Sequence, residues 1–116
     1  MQPIYYLHAM TDPKKSRREL LEAFVAEKPD DAFSRYGLAL ECMNSGDSTA
    51  AAQHFSALLE RNPGYVPAYL MYGQLLARES RKDEARRVLS SGIQAATTAG
   101  NQHARSEMEA LLNDLA

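Results

Sequence analysis

The chain has 116 residues, of which 45% are apolar and 24% charged, a size and balance that suit one packed domain and exclude disorder as the default state. Its net charge of −2 supplies no global field that would draw it to nucleic acid or anionic lipid. The single cysteine, Cys42, excludes an intramolecular disulfide framework and a multi-cysteine zinc site.

The opening MQPIYYLHAM holds a short apolar run, Ile4–Leu7, with no cationic stretch before it. That is not the pattern of a secretory signal. No window approaches the roughly 20 apolar residues of a membrane span. A soluble cytoplasmic protein is expected, with no membrane partner. Residues 1–11 are set apart as an arm, either loose or laid over an apolar surface.

No strand alternation persists, while helical spacing recurs from Lys14 onward. Asp12-Pro13 offers a cap and a first-turn proline for a helix whose inner face is Leu20, Leu21, Phe24 and Val25, closed by Lys28-Pro29. Asp30 is placed to cap a second helix carrying Phe33, Tyr36, Leu40 and Met43 on one stripe. Asn44-Ser45-Gly46 breaks it, and Asp47 caps a third helix with Ala51, Phe55, Leu58 and Leu59 inside. Asn62-Pro63-Gly64 breaks the chain again. A fourth helix is expected from about Tyr65 to Glu79 and a fifth from about Lys82 to Ala96. Thr97–Gln102 reads as a polar turn. A last helix places Ala104, Met108, Leu111, Leu112 and Leu115 on one face.

These features repeat at a spacing of 34: Pro29 with Pro63, Leu38 with Tyr72, Ala39 with Gly73, Cys42 with Leu76, Ala51 with Ala85, and Phe55 with Leu89. Two helices per 34-residue period is the tetratricopeptide signature, and the chain resembles a tetratricopeptide repeat (TPR) protein over roughly residues 16–96. The resemblance implies an all-α, right-handed superhelical array of antiparallel helix hairpins, about six helices in all. It implies one TPR-like domain over 12–116, with repeats at about 32–65 and 66–98. The helix from Lys14 to Lys28 resembles half of a preceding repeat, and 101–116 a solvating cap. In the second repeat Tyr69 stands where the family prefers Trp, Tyr72 and Leu76 fill large apolar sites, and Gly73 and Ala85 fill small ones. A mid-helix glycine costs roughly 1 kcal/mol relative to alanine. The resemblance places Gly73 where paired helices cross closely, so a side chain there would overpack. The first repeat departs from the pattern at Arg35, Gly37 and Leu58, and Gly92 departs in the opposite sense to Leu58.

Nothing in the sequence carries catalysis. It lacks a nucleophile elbow, a phosphate loop, a zinc-protease helix and a paired-carboxylate motif, so no enzyme activity and no cofactor are expected. His103 and Glu107, i and i+4 on the last helix, make a weak two-ligand set. With His54 they would be the basis of a remote metal-binding or enzymatic alternative, but a polar helix face is the plainer expectation. Cys42 falls at a core position and reads as an inert thiol. The basic run Arg78, Arg81, Lys82, Arg86, Arg87 is interleaved with Glu79, Asp83 and Glu84, which suits a solvated face laced by ion pairs rather than a nucleic-acid stripe.

In the family, the first helix of each repeat lines a concave face that grips a peptide or a helix. Carried onto this chain, the lining positions are Phe33, Tyr36, Gly37, Leu40, Met43 and Asn44, then Pro67, Leu70, Met71, Gln74, Ala77 and Arg78. Tyr36, Leu40 and Met71 stand where carboxylate-clamping members carry Lys and Asn, so that clamp is not expected. The face is mostly apolar, with Gln74 and Arg78 as polar handles, and suits an amphipathic helix or an extended apolar segment. The expected function is protein–protein interaction, as an adaptor or assembly factor. The alternative is a self-associating module whose groove forms a homodimer interface.

Overall fold

The computed structural model describes residues 16–115, and the regular structure among them is all helical. Six helices follow one another: α1 (Arg17–Glu27), α2 (Ala32–Asn44), α3 (Ser48–Arg61), α4 (Val66–Arg78), α5 (Lys82–Ala99) and α6 (Gln102–Asp114). The starts of α2 and α4 are 34 residues apart, and so are those of α3 and α5. The local chemistry of the helix ends explains most of these boundaries.

Ser16 caps α1 through a reciprocal box: its hydroxyl accepts from the Glu19 N–H at 3.1 Å, and the Glu19 carboxylate accepts from the Ser16 N–H at 3.1 Å. The expected start at Asp12-Pro13 lies outside the described residues, and the helix begins at Arg17 instead. Asp31, rather than Asp30, holds the cap position of α2, and its carboxylate takes the Ser34 hydroxyl instead of a backbone N–H. Asp30 pairs with Arg61 from the end of α3. Asp47 caps α3 as expected, accepting from the Ala50 N–H at 3.1 Å.

The fifth helix is longer than its sequence suggests. Thr97, Thr98 and Ala99 continue it to Gly100, which turns left-handed at φ 71°. The Asn101 N–H reaches back to the Ala96 carbonyl at 2.8 Å and closes the end. Two adjacent β-branched threonines are weak helix formers. Here they are held by the fully buried Ala96 beneath them and by this cap, and the Thr97 hydroxyl donates to the Ile93 carbonyl at 2.7 Å.

Each helix packs on the next. The first helices of the hairpins, α2, α4 and α6, also touch in turn, which leaves α1, α3 and α5 as a second layer. The Cα radius of gyration is 16.1 Å, against about 13 Å for a compact chain of this length, as expected of an array that grows in one direction. One core cluster gathers Leu38, Ala39, Cys42, Ala51, Phe55 and Leu58; another gathers Tyr69, Leu76, Ala85, Leu89, Ala96 and Met108. Tyr72 and Leu59 border both. The Phe55 ring, fully buried, stacks on Tyr72 at 5.6 Å and 21° and so ties the two hairpins together.

Gly73 needs its missing side chain. A Cβ built there would lie 2.7 Å from Leu89 Cγ, and nearer still to Cδ2. The obstacle is the Leu89 side chain lying across the helix, not the facing backbone. Gly92 is in the same position on α5: a Cβ there would meet the Met108 sulfur and Tyr69 Cβ, each at 2.5 Å. Its departure from the small-residue pattern makes room for α6.

Candidate functional site

The exposed side of α2 and α4 carries most of the residues expected to line a groove. Phe33 is 75% exposed, and only Phe24 joins it among exposed large hydrophobic residues in the described chain. Tyr36 and Leu40 are half-buried at the edge of the first core cluster, and Leu70 at the edge of the second. Pro67, Gln74, Arg78 and Asn44 are exposed, and Ala77 is half-buried. Tyr36 leans into the seam between the hairpins, 5.4 Å from the Tyr65 ring and 6.4 Å from Phe55. Burial, then the neighbouring Tyr65, pushes its phenol above the usual value. The ring therefore stays neutral, and this part of the face is uncharged.

Two of the expected residues sit elsewhere. Met43 is 8% exposed and belongs to the core, so it supports the face from beneath. Gly37 faces α1, and a Cβ on it would lie 3.6 Å from Leu21. Met71, like Tyr36 and Leu40, is half-buried at the edge of the first cluster. The stripe left on the surface is Phe33, Tyr36, Leu40, Pro67, Leu70, Met71, Gln74 and Arg78.

The opposite layer holds a feature that sequence reasoning missed. A cleft of about 300 Å³ runs between α3 and α5, lined by Ser56, Leu59, Glu60, Tyr69, Tyr72, Arg87, Val88 and Ser91. Tyr69 fills its floor with its hydroxyl tied to the Pro63 carbonyl at 2.6 Å, so the residue at the Trp-preferring position is anchored by a hydrogen bond as well as by packing. Leu59 and Val88 on its walls pack against the core clusters as well, and no sequence signal marks the cleft.

The other candidates resolve into structural roles. His103 and Glu107 form an exposed pair at 3.0 Å, and among the described residues no three His, Cys, Asp or Glu side chains gather as a metal set. Burial, followed by Arg35 and Arg18, pushes the His54 imidazole below its usual value, so it favours the neutral form. Cys42 is fully enclosed, and burial raises its thiol, which suppresses the reactive thiolate. Two members of the basic run are paired locally: Arg81 with Glu84 and Arg86 with Asp83, each at 2.7 Å and three residues apart. Arg86 also donates to the Leu115 carbonyl at 2.8 Å and holds the end of α6. Arg17 and Arg18 at the start of α1 pair with Glu41, Glu22 and Asp47.

Helix hairpins with a 34-residue period, small residues at their crossings and a partly apolar face on the first helices define a helical-repeat protein. Comparison with known proteins agrees. The family model for the tetratricopeptide repeat matches residues 43–106, and a second model of the same description matches 9–65. A TPR repeat-containing protein of Pseudomonas aeruginosa is 32% identical over 99 residues, covering 84% of this chain and 92% of that protein. The solution structure of a tetratricopeptide repeat domain protein from Salinibacter ruber is 33% identical with a TM-score of 0.71, over 76% of this chain and 89% of that one. A protein from Bordetella parapertussis gives 29% identity and a TM-score of 0.74 over 87% and 88%. The chain belongs to the tetratricopeptide repeat family, whose arrays are protein–protein interaction modules and generally not enzymes. Among the described residues no helix is long and apolar enough to cross a membrane.

Proposed function

We propose that the α2/α4 face docks an amphipathic helix or an extended apolar segment of another protein, and that the chain works as a cytoplasmic adaptor or assembly factor without catalysis of its own. The observation that carries this reading is Phe33: a phenylalanine 75% exposed, continuous with half-buried Tyr36, Leu40 and Leu70. Contiguous exposed apolar surface, rather than one open side chain, marks an interaction site, and aromatic anchors dominate binding energy at interfaces. Gln74 and Arg78 at the far end supply orientation. Nothing on the stripe is acidic, so a partner with an apolar ridge and a carboxylate near one end complements it best.

The test is capture from native lysate by the full chain, beside Phe33→Glu/Gln74→Glu. Both positions are exposed, so the variant keeps its core. A partner bound by the unsubstituted chain and weakened about 30-fold or more in the variant supports the reading. A partner held equally by both moves the site off this face. Capture of the chain by itself alone, with a dimer lost in the variant, replaces a foreign partner with a second copy.

A further inference from the structure

Helices α3 and α5 wall the cleft in the second layer, yet they pack little on each other; each packs on α4 instead. The gap between them is floored by Tyr69 and Tyr72 of α4, with Leu59 and Val88 at its sides. Past Ser56, Glu60 and Tyr72 it runs on into a second hollow of about 360 Å³ that reaches Ala52 and Arg81. From Ser91 to Arg81 the groove is about 15 Å long, room for about four residues of extended chain.

The fold alone does not impose this chemistry. One period earlier, Arg35 stands in place of Tyr69, His54 in place of Val88 and Gln53 in place of Arg87. Arg35 donates to the Pro29 carbonyl at 3.4 Å as Tyr69 donates to that of Pro63. The first repeat therefore keeps the anchor and lacks the apolar floor.

The charges on the walls select the occupant. Arg81 and Arg86 are engaged by Glu84 and Asp83. Arg87 on α5 and Glu60 on α3, both exposed, form no ion pair among the described residues. Helix α5 starts one period after α3, so Arg87 stands level with Gln53. Glu60 stands seven residues farther along, about 10 Å in a helix and about three residues of extended chain. Gln53, Ser56 and Ser91 border the groove with exposed side chains able to bond a main chain. A helix satisfies its own backbone and has no use for them; an extended segment does.

We propose that the α3/α5 cleft binds an extended segment of another protein in which an apolar side chain lies between an acidic and a basic residue. The apolar side chain seats on Tyr69 and Tyr72, the acid meets Arg87 and the base meets Glu60. The site lies on the layer opposite the α2/α4 face and is independent of it.

The probes are short capped peptides with Asp and Lys three residues apart and Leu, Phe or Met between them, added to the full chain labelled with nitrogen-15. The expected result is saturable amide shifts at Ser56, Val88 and Ser91, retained in Phe33→Glu/Gln74→Glu. Replacing the peptide's Asp and Lys by Asn and Gln should weaken binding about tenfold. Arg87→Glu, an exposed change whose helicity is checked, should weaken the Asp/Lys peptides at least as much and bind peptides with Lys in both places instead. No peptide of the set shifting the cleft, or affinity indifferent to these charges, overturns the proposal. So do cleft shifts that appear on concentrating the chain alone, which make a second copy the occupant. Shifts reproduced equally by p-cresol also overturn it, and make the cleft a small-molecule pocket.

Discussion

Two glycines in helix interiors should respond oppositely to the same methyl group. Replacing either Gly37 or Gly73 by alanine removes a propensity penalty of roughly 1 kcal/mol. At Gly37 the new Cβ meets Leu21 Cδ2 at 3.6 Å, an ordinary carbon contact, so Gly37→Ala should stabilise by about 0.5–1 kcal/mol. At Gly73 it would stand 2.7 Å from Leu89 Cγ, the branch point of a side chain with 0% exposure. Leu89 must shift within the core to make room, and overpacking of this kind costs about 1–3 kcal/mol. Gly73→Ala should therefore lose up to about 2 kcal/mol net, and the two variants should differ by roughly 1–3 kcal/mol. For a chain of this size that separates their melting temperatures by roughly 4–12 °C. Thermal and urea unfolding followed by circular dichroism would measure both. Leu89→Ala alone should cost about 2–5 kcal/mol. In the Gly73→Ala background the same change should cost less, by a coupling of about 0.5–3 kcal/mol. If Gly73→Ala proves as stable as Gly37→Ala, or if its cost simply adds to that of Leu89→Ala, the packing argument is wrong.

Gly92→Ala should destabilise more than Gly73→Ala, because one of the atoms it meets, Tyr69 Cβ, is fixed to the backbone and cannot swing away; the same unfolding assay compares them. Ser80 takes a left-handed φ of 63° at the register where Gly46 takes 86°, so Ser80→Gly should gain up to about 1 kcal/mol by relieving that strain, seen as a raised urea midpoint with unchanged slope. Asp47 accepts from the Arg18 guanidinium at 2.9 Å and from the Ala50 N–H, and these bonds, the Arg18 one foremost, hold its carboxyl below the usual value. That contribution is present above the ordinary carboxylate value of about 4 and fades as the pH falls through the lower folded one. Asp47→Ala should lower the melting temperature at neutral pH, and its gap to the unsubstituted chain should narrow on acidification below about pH 4.

Helix content and the period were legible because each rests on short-range chemistry. Asp47, Asn62-Pro63-Gly64 and the apolar stripes act within a turn or two of themselves, and the family's small and large positions recur with them. The boundaries that went astray did so where one local cap outcompeted another or where burial overrode propensity. Thr97–Ala99 look like a turn by propensity, yet the buried Ala96 and the Gly100 cap carry α5 through them. Ser16, not Asp12, starts α1 because Glu19 completes its box. Of the expected binding stripe, Phe33 and Gln74 reach the surface, Leu70 and Met71 are half-buried, and Met43 packs inward. Helical spacing gives a residue's angle on its own helix, but not how deep the neighbouring helix sits.

The sequence by itself determined that this protein is a two-helix repeat with a 34-residue period, because that information lies in which residues are large, small, apolar or chain-breaking at fixed separations. Only the tertiary structure decided what the glycines at 73 and 92 make room for, which faces of α1, α2 and α4 are left open, and that a cleft runs between α3 and α5. Those follow from distances between helices, and such distances are set by the combined volumes of side chains far apart in sequence.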